Sequence, residues 1–292
     1  MENKMIFKSL FTVIVGIMLI FAVQPIYDSF ADKPSDKGKA NAKVSIPENA
    51  IKVAPGVYKL GEGVSQGKIV QGFMFIDYEK GFGHNPKAPP NHGGEKGGGG
   101  NGDDKTKCFA YLKKDTKWKV TPEPWFVNPA NARDVLGDNF VLTKLSNSIQ
   151  KWEDASSTDI LGSGTITTDI LVADTALPID NVNEVYFADI STSGAIAVTI
   201  TWYETRGPPQ NRDIVEWDQI YDDVDFDWSS TGEAGKMDFA NIATHELGHA
   251  LGLSHPNDTC TLETMYAFAE DGETIKRDLH DGDIAGVNEM YS

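Results

Sequence analysis

Residues 245–255 contain side chains that can bind a metal ion. His245 and His249 are four positions apart, so a helix would place both imidazoles on one face, about one turn apart. Gly252 then permits a sharp turn, and His255 follows three residues later. Three neutral imidazoles leave one open position on a tetrahedral Zn²⁺ ion, as catalytic zinc sites require. We therefore predict that these three histidines bind one catalytic zinc.

Glu246 is the candidate catalytic residue, because it follows the first histidine directly on the same predicted helix. There its carboxylate can take a proton from a zinc-activated water molecule. A short His-Glu-x-x-His pattern also occurs by chance on helices, as a surface pair without chemical function. The longer pattern fixes five positions, and half of the six histidines of the chain lie within it. This concentration favours a hydrolytic zinc site with Glu246 as general base.

These residues resemble the active-site motif of the metzincin family of zinc endopeptidases, and the run 248–255 is most similar to the matrixin branch. Metzincins also have a methionine turn beneath the zinc. Met265, ten residues after His255, matches it, although an ordinary core methionine is the alternative. The resemblance implies a zinc-dependent endopeptidase that acts on proteins or peptides. It also implies an α+β catalytic domain with a twisted mixed β-sheet, an active-site helix and a C-terminal helix.

Residues 279–291 resemble the last matrixin helix, which usually begins with two successive aspartates. Gly282 stands at the first of these positions, and Asp283 matches the second. In the family the first aspartate can bind the freed N-terminal amine. Because Gly282 has no carboxylate, the resemblance does not extend this contact to the present chain. Residues 117–244 contain no histidine, whereas vertebrate matrixins use further histidines to hold a second, structural zinc. We therefore expect one zinc ion.

The first 31 residues have the layout of a secretory signal peptide. Lys4 and Lys8 precede an apolar run from Leu10 to Val23, and small residues stand at positions 29 and 31. This run has 14 residues, fewer than the ~20 that a membrane-spanning helix needs. We predict cleavage after Ala31 and a secreted protein. The alternative is that this segment is retained as a membrane anchor. We expect the protein to bind a membrane only in that case.

Cys108 and Cys260 are the two cysteines of the chain. In an oxidising compartment an even count favours a disulfide, which would tether the loop between His255 and Met265 to the start of the catalytic region. The alternative is an inhibitory Cys108 thiolate on the zinc, as in the matrixin pro-segment. The sequence around Cys108 does not resemble that pro-segment motif, and such a role would leave Cys260 unpaired. We predict the disulfide.

Charge is distributed unevenly: residues 32–116 carry a net charge of +4 and residues 117–292 carry −21. So acidic a region repels phosphate backbones, and we expect no nucleic-acid partner. Carboxylates at alternating positions can also bind Ca²⁺. The candidate calcium ligands are Asp222, Asp223, Asp225 and Asp227. Val224 and Phe226 lie between them, as in an ordinary half-buried strand, and the run lacks the complete loop motif of a calcium site, so the strand is the favoured interpretation.

Composition divides the chain into four segments. The signal peptide (1–31) is followed by a polar and small β-like segment (32–82), a Pro/Gly-rich linker (83–104) and the catalytic domain (105–292). The segment 32–82 has three alternative interpretations: a pro-segment that covers the cleft, a small β module or a stalk. The sequence does not choose among them.

Apolar periodicity in the catalytic region predicts both helices and strands. One helix is indicated by the spacing of Val141, Leu145, Ile149 and Trp152. Strands are predicted at Trp118–Val120, Val185–Phe187, 195–203 and 214–221. Asp238 fits the N-cap of the helix that carries the first two histidines. In the resembling enzymes the substrate lies along an edge strand, and residues 195–203 are its counterpart here.

Two other classes of function share some of these features. A zinc hydrolase acting on compounds other than peptides would also use the three histidines, but the methionine turn argues against it. An exported metal-binding or adhesive module with a non-proteolytic, metzincin-like site would share the signal segment, linker and acidic surface. The intact Glu246 argues against such a module, because a site that no longer catalyses does not need its base. We therefore expect an endopeptidase.

Overall fold

The computed structural model describes residues 43–83 and 107–291, apart from residues 115, 120, 131 and 133–135. The predicted signal peptide, most of the predicted linker, and His84 and His92 lie outside this described part. Within it, no helix combines the length and the apolar character that crossing a membrane requires.

The described residues form thirteen strands and three α-helices. The strands are β1 (Ile51–Ala54), β2 (Val57–Ser65), β3 (Lys68–Glu79), β4 (Ala110–Tyr111), β5 (Glu123–Asn128), β6 (Leu161–Ile166), β7 (Asn183–Ala188), β8 (Ala195–Glu204), β9 (Ile214–Asp222), β10 (Trp228–Ser229), β11 (Met237–Asp238), β12 (Leu253–Ser254) and β13 (Phe268–Ala269). The helices are α1 (Asp138–Ser156), α2 (Phe239–Ala250) and α3 (Asp281–Tyr291).

Nine of these strands form one mixed sheet, in the order β1-β2-β3-β8-β9-β7-β5-β6, with β13 paired to β3. The strands β6, β5, β7 and β9 are parallel neighbours, and α1 makes the crossover between β5 and β6 that parallel pairing requires. The strand β8 is antiparallel to both β9 and β3. The N-terminal strands β1–β3 therefore extend, beyond β8, the sheet formed by the later strands.

The helix α1 packs its apolar stripe toward the sheet and fixes the position of α2. The four residues that predicted this helix by their spacing are all buried on it. At the helix contact, Ser148 Oγ and Thr244 Oγ1 are 2.8 Å apart. The indole of Trp152 donates a hydrogen bond to the Thr244 carbonyl at 2.9 Å. These polar contacts between buried faces fix how α2 sits against α1.

The central strands place alternate side chains on the two faces of the sheet, as the pleat requires. Phe187 and Tyr221 belong to the apolar cluster under the helices. Tyr186 and Ile220, their neighbours in sequence, belong to a second apolar cluster on the opposite face. Both faces of the sheet are therefore buried.

Two strand predictions were wrong. Residues 118–119 form no strand, because the Trp118 indole is inserted beside α2 and donates a hydrogen bond to the Ala250 carbonyl at 2.9 Å. The run after Asp222 is not a half-buried strand either, since β9 ends there and Val224 is 51% exposed. Asp222 accepts hydrogen bonds from the backbone N–H groups of Val224 and Asp225, which turns the chain.

Candidate metal centre

The N-cap of α2 sets the start of the helix that carries the first two histidines. Asp238 accepts a hydrogen bond from the Asn241 backbone N–H at 3.0 Å, which confirms the predicted cap. Arg277 Nε donates to the same carboxylate at 2.8 Å. With the start fixed, His245 and His249 lie on one buried face of α2.

The turn after α2 brings the third histidine to the other two. Gly252 adopts φ +102°, which residues with a Cβ rarely adopt. The chain then passes through β12, which pairs with β4, and reaches His255. The glycine between the second and third histidines is therefore required by the backbone conformation.

The three imidazoles converge through their Nε2 atoms. Nε2 of His249 lies 3.2 Å from Nε2 of His245 and 3.1 Å from Nε2 of His255. Nitrogens bound tetrahedrally to one zinc at ~2.0–2.1 Å are separated by roughly 3.3 Å. The residues present therefore fit a zinc ion.

Backbone carbonyls orient two of the imidazoles. Nδ1 of His245 lies 2.6 Å from the Thr264 carbonyl oxygen, and Nδ1 of His249 lies 2.9 Å from the Leu253 carbonyl oxygen. A carbonyl can only accept a hydrogen bond, so each Nδ1 carries the hydrogen. Each Nε2 then presents a lone pair to the point where the rings converge.

Burial keeps the imidazoles neutral. It lowers the pKa of His249 to about 3. Burial, followed by the nearby Lys276 ammonium, also lowers the pKa of His245 well below its usual range. For His255, burial and then the charge of His249 have the same effect on the pKa. The neutral form is the one that binds metal, so the rings are in the ligand form at neutral pH.

Glu246 is fully buried beside the histidines, with one carboxylate oxygen held and the other unpartnered. Thr199 Oγ1 donates to Oε2 at 2.5 Å, whereas Oε1 has no hydrogen-bond partner among the described residues. Burial, followed by the negative charge of Asp77, raises the pKa of Glu246 well above its usual range. The unpartnered oxygen Oε1 is the atom of this carboxylate that could accept a proton.

Met265 packs directly beneath the histidine-bearing helix. A Cβ added to Gly248 would lie 2.2 Å from Met265 Sδ, so the glycine permits this close approach. Asp283 holds the turn, because its carboxylate accepts hydrogen bonds from the N–H groups of Thr264 at 2.7 Å and Met265 at 3.1 Å. Since the Thr264 carbonyl contacts His245, the Asp283 carboxylate is connected to the histidine site.

Cys108 and Cys260 form a disulfide in the structure, with their Cα atoms 5.6 Å apart. The bond ties the loop after His255 to the chain that enters the catalytic region. Cys108 also gives a physical reason for Gly282, because a Cβ built there would lie 2.4 Å from the Cys108 carbonyl oxygen. The aspartate that matrixins place at this position does not fit here without a shift of the backbone.

The strand β3 covers the histidine site. It is antiparallel to β8 on one side, and on the other side it pairs with β2 and then, at its C-terminal end, in parallel with β13. Phe75 stacks on the His249 ring with a centroid separation of 4.2 Å. A carboxylate oxygen of Asp77 lies within 4.8 Å of ligand atoms of His245 and Glu246. The site is therefore closed to a peptide substrate in this structure.

The predicted calcium ligands are not brought together. Among the described residues, three groups of metal-ligating side chains have ligand atoms within 4.8 Å of one another, and none of them contains Asp222, Asp223, Asp225 or Asp227. Asp222 uses its carboxylate oxygens for backbone hydrogen bonds, including one from Ile190 at 2.8 Å.

A different set of carboxylates converges on the face of the sheet opposite α2. Asp174, Asp180 and Glu216 have ligand atoms within 4.8 Å of one another, and Asp218 lies two residues along the same strand face. We call these four residues the acidic cluster. Glu216 Oε1 and Asp218 Oδ1 are buried without a hydrogen-bond partner among the described residues. Burial and the neighbouring carboxylates raise the pKa of Glu216 to about 11.

Sequence reasoning missed several residues near the histidine site, chiefly Asp77, Thr199 and Lys276. Asp77 stood at the end of a short apolar run, and Thr199 was one of several polar positions in an alternating strand. Lys276 lies in a loop whose shape no local pattern predicted. None of the three carried a sequence signal of its own, and each reaches the site through tertiary packing.

Comparison with known proteins agrees with this geometry over the C-terminal part of the chain. The sequence model of the Matrixin family (Peptidase_M10) matches residues 212–292. Similar curated proteins include matrilysin from Felis catus, 39% identical over 69 residues, and matrilysin from Homo sapiens, 35% identical over 69 residues. Matrilysin from Rattus norvegicus is 36% identical over the same length.

The matched stretch covers 24% of this chain and 25% of each relative, so the similarity spans about a quarter of their length. The family match contains α2, the three histidines, Met265 and α3. The fold around it is α+β, with a mixed sheet, three helices in the described part and a helix at the C-terminal end. Over residues 212–292, the chain is therefore similar to metzincins of the matrixin type.

Proposed function

We propose that this protein is an exported zinc-dependent endopeptidase. The observation that carries the proposal is the convergence of three neutral imidazoles beside the unpartnered oxygen of Glu246. The match of residues 212–292 to matrixins supports a peptidase over other zinc hydrolases. The signal-like first 31 residues support export.

The chain's own residues have distinct roles in this reaction. Zinc held by the three histidines would supply the Lewis acidity that activates a water molecule and polarises the scissile carbonyl. Glu246 accepts the proton of the attacking water on Oε1 and passes it to the leaving amine. Thr199 positions this carboxylate by holding Oε2 at 2.5 Å. Met265 and Asp283 support α2 and the loop beneath it.

We further propose that residues 32–82 are an inhibitory pro-segment. The strand β3 pairs with β8 from Val70 opposite Glu204 to Tyr78 opposite Ala195. This is the edge along which an extended peptide would form main-chain hydrogen bonds. Because Phe75 and Asp77 also lie against the histidine site, a substrate gains access only after β3 leaves.

We propose the acidic cluster, rather than residues 222–227, as the calcium site of this chain. Ca²⁺ is bound by carboxylate and carbonyl oxygens, typically about six to eight of them. Two buried carboxylate oxygens, one of Glu216 and one of Asp218, have no hydrogen-bond donor among the described residues. A bound cation would supply the missing interaction. The cluster therefore supplies the donor chemistry that calcium requires.

The test compares samples of the chain from Asp32 onward, which retains every described residue. One sample is intact. A second carries a recognition sequence for a site-specific protease between Gly97 and Gly100; it is nicked after purification, and its N-terminal fragment is then removed by chromatography. We expect the nicked sample to cleave a peptide library and the intact sample to be latent. Each should hold about one zinc per chain.

The Glu246→Gln variant of the nicked chain should keep its zinc and lose about 10²–10⁴-fold in turnover. Glu233→Gln, an exposed carboxylate on a surface loop, is the matched control and should leave turnover unchanged. Full activity in Glu246→Gln would exclude Glu246 as the base. A nicked chain that holds zinc but cleaves no peptide would instead favour the non-proteolytic binding module.

A further inference from the structure

Lys276 is a buried cation at the edge of the histidine site. Its side chain is 1% exposed, and its ammonium donates a hydrogen bond to the Tyr266 carbonyl at 2.6 Å. Among the described residues, Asp77 is the one carboxylate within 4.0 Å of this ammonium, with Oδ1 at 3.9 Å. A buried ammonium without a counter-charge is strongly unfavourable. This end of the cleft is therefore built around a positive charge that needs a negative partner.

The position of Lys276 is set by the catalytic region and not by β3. Its backbone N–H donates to Asn241 Oδ1 on α2 at 2.7 Å. Its side chain is held by the Tyr266 carbonyl, which lies next to the methionine turn. Both contacts are independent of the N-terminal strands, so the positive charge stays in the cleft when β3 leaves.

Asp77 meets this charge from the path that a substrate would follow. Along β3, Phe73, Phe75 and Asp77 alternate with residues of the other face, and the two phenylalanines pack in the apolar cluster under the helices. The Asp77 carboxylate is fully buried, and neither of its oxygens has a hydrogen-bond partner among the described residues. Its nearest cationic partner is therefore Lys276, across a gap wider than a hydrogen bond.

We propose that Lys276 is a specificity-determining residue that selects peptides with an acidic side chain at the position that Asp77 occupies. This inference rests on the proposed peptidase function and names the substrate class of the same site. A peptide that enters between β8 and β13 along the path of β3 presents one side chain to the Lys276 ammonium. An Asp or Glu side chain there compensates the buried charge, whereas an Asn or Gln side chain does not.

The distance between the two groups indicates which acidic residue fits better. The 3.9 Å separation of Asp77 Oδ1 and Lys276 Nζ exceeds the ~2.7–2.9 Å of a charge-assisted hydrogen bond. A glutamate side chain is longer by one methylene and can close this gap. We therefore expect substrates with Glu at this position to be cleaved at least as well as those with Asp.

The test uses the nicked chain with three substitutions and two assays. The substitutions are Lys276→Met, which removes the charge, Lys276→Arg, which keeps it, and Lys236→Met, a matched lysine on a surface turn paired with Glu233. The first assay measures kcat/KM for peptide pairs that differ only in Glu against Gln or Asp against Asn. The second measures binding of the same peptides to the Glu246→Gln background by fluorescence anisotropy, so it does not depend on turnover.

We expect the acidic peptides to be preferred by at least about tenfold, which corresponds to ~1.4 kcal/mol. Lys276→Met should abolish this preference in both assays, whereas Lys276→Arg and Lys236→Met should retain it. Equal kcat/KM values for acidic and amide peptides would overturn the inference and leave the proposed peptidase function intact. An acidic preference that survives in Lys276→Met would also overturn it, because the metal site rather than the lysine would then attract the carboxylate.

The two assays separate failure of this inference from failure of the proposed function. A nicked chain that cleaves nothing but binds acidic peptides through Lys276 would support the inference and remove the peptidase proposal. A nicked chain that binds no peptide of either kind would overturn the inference itself.

Discussion

The molecule contains two polar clusters on opposite faces of the same sheet, one fully buried and one partly buried. The histidine site lies under the helices, and its ligands all come from residues 245–255. The acidic cluster lies on the other face and combines a long loop, at Asp174 and Asp180, with Glu216 and Asp218 of β9. Both clusters can hold a cation, but they respond to burial in different ways.

Burial removes the charge of a histidine without loss of its ligand function, because the neutral imidazole is the form that binds metal. The carbonyls of Thr264 and Leu253 accept hydrogen bonds from Nδ1 of His245 and His249. These two imidazoles are therefore held in place before any metal binds. A buried carboxylate must instead take up a proton or meet a cation. The histidine site is therefore preorganised, whereas the acidic cluster lowers stability until it is neutralised.

The largest effect that separates the clusters should come from His249→Ala. Loss of this ligand should reduce zinc affinity by more than the ~10–100-fold that follows changes around metal ligands, with peptidase activity lost in parallel. Glu216→Gln is the matched change on the opposite face and should leave zinc affinity and turnover unchanged. Zinc titration of both variants checks this difference. Loss of zinc in Glu216→Gln would show that the clusters are not independent.

The acidic cluster should make stability depend on pH and calcium. The pKa of Glu216 is raised from 4.5 to about 11, so above pH 4.5 the unfolded chain releases a proton that the folded chain keeps. Stability should therefore fall as pH rises, by up to ~1.4 kcal/mol per pH unit for such a group. Millimolar Ca²⁺ should oppose this fall, because it stabilises the ionised form.

Thermal unfolding between pH 5 and pH 8, with calcium and with a chelator, measures both effects. The double variant Glu216→Gln/Asp218→Asn should flatten the pH dependence and remove the response to calcium. Asp222→Asn is the control at the run that the sequence offered as candidate calcium ligands, and it should keep the calcium response. A calcium response lost only in Asp222→Asn would move the site back to that run.

The histidine side includes a close backbone contact at Gly282. A Cβ at Gly282 would lie 2.4 Å from the Cys108 carbonyl, so Gly282→Ala should destabilise the protein by ~1–3 kcal/mol. Gly61→Ala, where nothing lies within 4 Å of the added Cβ, should change stability by less than ~0.5 kcal/mol. Denaturant unfolding of the two variants tests the contrast. Equal stabilities would show that the backbone at Cys108 adapts.

The smallest effect should come from the residue that positions the base. Thr199→Val removes the hydrogen bond to Glu246 Oε2 and should lower kcat of the nicked chain about tenfold, or ~1.4 kcal/mol, with zinc content unchanged. Thr201→Val, two residues along the same strand, is the matched control because Thr201 contacts the His249 carbonyl at 3.4 Å. An unchanged rate in Thr199→Val would remove Thr199 from the catalytic arrangement.

Local patterns predicted the parts of the site that a single element determines. The spacing of His245 and His249 required a helix, and Asp238 is its N-cap as expected. Gly252 has the positive φ that a sharp turn before His255 demands. The periodicity of α1 was equally direct, because the hydrogen bonds of a helix fix which residues share a face. The strand prediction at Trp118–Val120 was wrong because the apolar Trp118 side chain packs against α2 and does not belong to a strand.

What the sequence by itself determined is therefore the chemistry of residues 245–255 and the helices that flank it. Only the tertiary structure decided that β3 pairs with β8, that Asp77 meets Lys276, and that Glu216 joins Asp174 and Asp180. The physical reason is that backbone hydrogen bonding sets the spacing within an element, whereas the pairing of distant segments follows from burial of whole faces. No local pattern of residues records which faces will meet.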